Sequence, residues 1–274
     1  MIRPRESREL RLTASLIDAT PAASVAWAQD VFGNAVATAR FAEEAEQLTI
    51  VGNHEVELSA PAWPVFNIAA YALQFPFLYS RDEWTDLGGF LLQQYLDDGG
   101  QLATWARGFV MGPATDTLSL LKDLSAGVSA QIGYQSREVE GTQSPIETLK
   151  RRLGSCRDVA LLFIEAARSL GFGARIVSGY LHSPNPTNSS GAGSTHAWAE
   201  VFLPGAGWIT FDPTNRSLGG ANLIPVAVAR DIHQVVPVSG GYIGSADAFD
   251  GMTVDVSVQS IHDEAGASSP TPQL

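Results

Sequence analysis

Between Ser144 and Asp212 the chain carries a capped amphipathic helix and then three strand-like segments, and this order constrains the fold more than any other feature. A short helix is expected over Ile146–Arg152, then Leu153-Gly154-Ser155, then a longer helix over Cys156–Leu170. Ser155 is a suitable N-cap and Asp158 follows three residues later, the spacing of a capping box. Val159, Ala160, Phe163, Ala167 and Leu170 fall on one stripe, and Gly171 supplies the stop. Strands are expected over Ala174–Leu181, Thr195–Leu203 and Trp208–Phe211. The first two are separated by residues 182–194, rich in Pro, Asn, Ser and Gly, which read as a long flexible loop. That loop is either a substrate-gating lid or a passive connection.

The chain's single cysteine, Cys156, is placed by this pattern at the first helical position. Unpaired N–H groups and the positive end of the helix dipole stabilise a thiolate there. Gly154 would allow a substrate carbonyl to approach the sulfur. His196 opens a strand on which it shares a face with Trp198 and Glu200, and Asp212 ends the next strand, before Pro213. Each has a plainer alternative: a buried small apolar residue, a core-capping histidine, a turn-forming aspartate. Together they supply nucleophile, base and orienter. The hairpin leaves their meeting open. A turn limited to Leu203-Pro204-Gly205 sets Asp212 opposite His196, whereas Pro204–Gly207 sets it opposite Ala199, about 10 Å away along the strand. In that second case a bulge or a displaced chain end would be needed.

Gly154-Ser155-Cys156-Arg157-Asp158, with Ala166–Phe172 and Ala174–Leu181, resembles the nucleophile region of bacterial transglutaminase-like proteins. His196-Ala197-Trp198-Ala199-Glu200-Val201 resembles that family's histidine strand, and Gly207–Asn215 its aspartate motif. The resemblance implies a papain-like α+β core, with the Cys helix packed on an antiparallel sheet that bears His and Asp. It implies Cys156, His196 and Asp212 as catalytic residues, with neither cofactor nor metal. A preceding β-rich domain is also implied, to which Arg11-Leu12, Asp30–Asn34 and Leu48-Thr49-Ile50 are similar. Relatives often carry one more strand before this point, so the N-terminus reads as short.

The expected organisation is a β-rich domain over residues 1–60, a helical connector over 61–115, the catalytic core over 116–262 and a disordered tail over 263–274. In the first part, strands are expected over Leu10–Asp18 and Leu48–Leu58, with a turn at Gly33-Asn34. The apolar stretch Pro61–Tyr79 is too interrupted by Pro61, Pro64 and Pro76 for a membrane span and reads as a buried connecting helix. Further helices are expected over Trp84–Leu96, Gly100–Val110 and Thr117–Ala130, the last capped by Asp116 or Thr115. A last strand is expected over Thr253–Val258.

A net charge of -12 argues against nucleic acid as a partner. One cysteine allows no intrachain disulfide. The N-terminus has no apolar signal core, and on that ground cytoplasm is the expected location. No acidic calcium loop is apparent. The expected partner is a peptide or protein substrate. Three functions are compatible: a peptidase or amidase resolving a thioester with water, a transglutaminase resolving it with an amine, and an idle member that binds peptide.

Overall fold

The computed structural model describes residues 1–136, 141–182, 193–245 and 247–261. Residues 183–192 of the expected lid and the expected disordered tail lie outside the described residues, while His182, Gly193 and Ser194, expected in the loop, belong to strands. Strand β1 (Leu10–Thr20) pairs antiparallel with β4 (Thr49–Leu58), and β2 (Ala23–Gln29) forms a hairpin with β3 (Ala35–Phe41). The turn between β2 and β3 falls at Gly33-Asn34, as the sequence indicates. Gly33 takes φ +73°, and the Asp30 carboxylate accepts the N–H groups of Phe32 and Asn34.

Residues 61–79 are not a helix. They run as an extended strap with one 3₁₀ turn at Ala70–Ala72 and a short strand β5 (Gln74–Phe75), which pairs with β6 (Thr115–Asp116). Pro61, Pro64 and Pro76 remove donors and bias the residues before them away from helical backbone. The strap is held by aromatic contact instead. Phe75 and Phe77 pack on Phe172, and the Tyr79 hydroxyl donates to the Phe202 carbonyl at 2.8 Å.

The next two helices are shorter than their periodicity suggests: α1 spans Arg81–Leu87 and α2 spans Gln101–Arg107. Gly88 and Gly108 stop them. Helix α3 (Thr117–Gln131) starts at Asp116, whose carboxylate accepts the Ser119 N–H at 2.8 Å. Strand β7 (Gly133–Tyr134) runs parallel to β8 (Leu153–Gly154), and α4 (Pro145–Arg151) lies between them in sequence.

Helix α5 (Cys156–Ser169) packs on an antiparallel sheet built from β9 (Ala174–His182), β10 (Gly193–Leu203), β11 (Gly207–Asp212), β12 (Ser217–Leu218) and β13 (Leu223–Ala229). The spatial order is β12-β11-β10-β9-β13. This is the α+β, papain-like core expected from the sequence. Val159, Ala160, Phe163 and Ala167 of α5 share one core with Ala197, Ala199 and Val201 of β10. The edge strand beside β9 is β13, and no ladder forms over 253–258. Pro225 hides β13 from a sequence reading, and it is tolerated because it sits beside a bulge on an edge strand. Among the described residues no helix is long and apolar enough to cross a membrane.

The β2–β3 turn docks on this edge. Asn34 is fully buried, donates from Nδ2 to the Val228 carbonyl at 2.7 Å and accepts the Val228 N–H at Oδ1 at 2.9 Å. One side chain thus satisfies both backbone groups of an edge residue. Asn34→Ala is expected to cost about 2 kcal/mol, because it leaves buried backbone groups unpaired. Urea unfolding measures this; an unchanged midpoint would show that water replaces the amide without penalty.

Candidate active site

The start of α5 is fixed from below by a carboxylate. Asp158 is fully buried, and its Oδ2 accepts both the N–H and the hydroxyl of Ser155 at 2.9 Å. Gln143 donates its backbone N–H to Oδ1 at 2.7 Å and its side-chain amide to Oδ2 at 3.1 Å. A Cβ at Gly154 would lie 2.9 Å from Asp158 Cβ, so the glycine makes room for the folded-back aspartate. The result is a rigid helix start with Cys156 half-buried at its first position.

His196 and Asp212 reach each other along a diagonal. The register pairs Leu203 with Gly207 and Ala199 with Phe211, so the loop is Pro204-Gly205-Ala206. Neither turn considered from sequence is the one formed. One further step sets Asp212 across from Trp198, on the face that also carries His196. Diagonal neighbours on one face are about 7–8 Å apart at the backbone, within reach of an imidazole and a carboxylate. His196 Nε2 accordingly donates to Asp212 Oδ2 at 2.8 Å. This leaves Nδ1 for the Cys156 sulfur, with which the ring is hydrogen-bonded. The structure therefore brings together all three residues singled out from the sequence.

A model of the transglutaminase-like superfamily matches residues 103–213, and a model of the bacterial transglutaminase-like N-terminal region matches residues 1–57. The chain is 30% identical over 267 residues to an uncharacterized protein of Mycobacterium tuberculosis, covering 92% of this chain and 84% of that one. A Mycobacterium bovis protein matches equally well. The chain belongs to the transglutaminase-like superfamily. Its fold is shared with a solved structure of a candidate cysteine protease from Cytophaga hutchinsonii, at a TM-score of 0.67 and 20% identity, over 85% of this chain and 76% of that one.

In this transglutaminase-like chain the electrostatics favour an ion pair. Burial pushes the Cys156 thiol up. The hydrogen bond and charge of His196, the Ala197 N–H and the charge of Arg157 outweigh it, and the net shift is downward. Burial pulls His196 down, yet its bonds to Asp212 and Cys156 and their charges raise it to about 9. Thiolate and imidazolium therefore coexist between the lowered thiol value and about 9. A cysteine-based enzyme is what family and site describe together.

Two neighbours of the site were not singled out from sequence. Asn215 Nδ2 donates to Asp212 Oδ2 at 2.7 Å and lies 3.2 Å from His196 Nε2. It closes the Gly207–Asn215 segment that resembles the family's aspartate motif, but Asn is common in turns for local reasons, so the sequence assigns it no role of its own. Tyr134 lies on the two-residue strand β7, far from the sequence segments that carry Cys156, His196 and Asp212. Partial burial and the negative charge of Cys156 push its hydroxyl pKa up, against a hydrogen bond with Ser136, which places the phenol in the field of the sulfur.

Proposed function

We propose that the chain is a thiol hydrolase of peptide or side-chain amide bonds, with Cys156, His196 and Asp212 as its catalytic residues. The observation that carries this reading is the continuous contact from Cys156, at a helix N-terminus, through His196 to a buried Asp212. The Cys156 thiolate attacks the amide carbon, and the carbonyl oxygen takes up the electron pair. The Cys156 N–H, at the first turn of α5, is the donor that geometry offers that oxygen. His196 Nδ1–H then gives its proton to the departing amine, the C–N bond breaks and a thioester remains. Water adds to the thioester while Nδ1 takes its proton, and the acid and the thiolate are released. Water is the favoured acceptor because Cys156 keeps contact with solvent and water needs no dedicated channel. The substrate class is a peptide or protein.

A peptide library incubated with and without a primary amine, read by mass spectrometry, tests this. Cleaved or deamidated peptides are expected with wild type in both arms and with Cys156→Ala in neither. Products that carry the amine in place of hydrolysis would make the chain a transglutaminase. Equal product from Cys156→Ala would remove the thiol from the chemistry.

A further inference from the structure

We infer that Asn215 is a positioning residue of this site: its side-chain N–H holds the Asp212 carboxylate, and through it the His196 ring, in the orientation that thiolate formation needs. The inference rests on the reading of Cys156 and His196 as an ion pair.

Asp212 is fully buried, so each of its acceptor positions has to be filled by protein. Oδ1 takes the backbone N–H groups of Thr214 at 3.1 Å and Asn215 at 3.2 Å. Oδ2 takes His196 Nε2 at 2.8 Å and Asn215 Nδ2 at 2.7 Å, the shortest of the four contacts. The amide must present its nitrogen here, since an amide oxygen 2.7 Å from a carboxylate oxygen would oppose two acceptors. The same Nδ2 lies 3.2 Å from His196 Nε2, whose proton already points to Asp212. This contact is packing against the ring edge: Asp212 holds the Nε2 proton and so turns Nδ1 toward the sulfur, and Asp212 is itself held by the amide. Without it, one position on Oδ2 is empty and the carboxylate can rotate about its own side chain.

The residue type follows from the charge balance. Lys or Arg in this place would neutralise Asp212 and withdraw the support that raises His196. A second carboxylate would repel Asp212. Asn offers an N–H with no net charge. The titratable groups facing the ring are Asp212 from β11 and Cys156 from α5. Arg157 and Tyr134 face the sulfur.

The test is the rate of Cys156 alkylation by iodoacetamide across pH, on the full chain, for wild type, Asn215→Ala and Asn215→Asp. Both variants are expected to react about tenfold more slowly on the acid limb, with that limb moved up by about one pH unit. Where turnover is measurable, kcat should fall with KM little changed. Asp is as good a turn residue as Asn. An Asn215→Asp variant on the wild-type profile would show that neither the N–H nor the charge beside Asp212 matters to Cys156, and that result overturns the inference. Should Asn215→Ala fail to fold, Asn215→Asp decides alone. A wild-type profile typical of a free thiol would instead defeat the ion pair and the proposed function with it. A shifted wild type overlaid by both variants would defeat only the role of Asn215.

Discussion

His196→Ala is expected to lower the reactivity of Cys156 sharply at mildly acidic pH and to lower hydrolysis by roughly 10⁴-fold, the upper end of what a general acid–base group supplies. The sign follows from the two shifts. In wild type the thiol is lowered and the imidazole is raised to about 9, so the acid limb of alkylation lies below that of a free thiol. A second, smaller rise is expected near pH 9, where the imidazolium loses its proton and leaves a freer thiolate. Turnover needs both partners charged, so kcat/KM should form a bell whose basic limb lies near 9. Without the imidazole, Cys156 keeps the helix terminus and the Ala197 N–H but loses its main counter-charge. A free thiol of pKa about 8.5 is well under one per cent ionised near pH 6, so alkylation there should fall by about 30-fold or more. Iodoacetamide rates across pH, with unfolding midpoints as a control for folding, provide the measurement. Superimposable wild-type and variant profiles would show that His196 does not ionise Cys156.

The parts of this site that the sequence reveals are those with local causes. Ser155, Asp158 and Gly171 bracket a helix by capping rules alone, and that bracket puts Cys156 at its first position. The hairpin register is a different matter. Its loop, Pro204-Gly205-Ala206, depends on left-handed backbone at Gly205 and Gly207, which a sequence permits without requiring. The other face of α5 is hidden for a related reason. Glu165 and Arg168, three residues apart on the helix, form a fully buried ion pair at 2.6 Å that the apolar stripe of α5 does not announce. What covers them is distant in the chain. Gln94 and Tyr95 donate backbone N–H groups to Glu165, and Arg168 donates to the carbonyls of Phe90, Ala174 and Arg230. No window of periodicity contains that information. The alternation at 253–258 misleads in the opposite direction: it has strand texture but gains no partner, because β13 already occupies the edge beside β9.

Gly179→Ala is expected to destabilise the fold by about 3 kcal/mol or more and to disturb the site in whatever remains folded. Gly179 lies on β9 directly opposite His196 on one side and Pro225 of β13 on the other. An added Cβ would sit 2.2 Å from the Ile224 carbonyl oxygen, 2.7 Å from the tip of the Trp198 indole and 3.0 Å from Pro225 Cα. None of these neighbours yields cheaply. Two are backbone of an edge strand held by Asn34, and the third is a tryptophan only 1% exposed. If the indole gives way, His196 moves with it, because the two rings stack at 6.0 Å and 26°. The methyl group therefore couples a stability loss to a loss of thiolate character, which a simple core defect would not do. Gly112→Ala is the control: no atom lies within 4 Å of its Cβ position, and its effect should stay within about 0.5 kcal/mol. Urea unfolding with iodoacetamide rates on the same samples separates the possibilities. A large stability loss with an unchanged alkylation profile would mean that β13 moves and Trp198 stays. An unchanged midpoint would show that the packing between β9 and β13 is looser than these distances require.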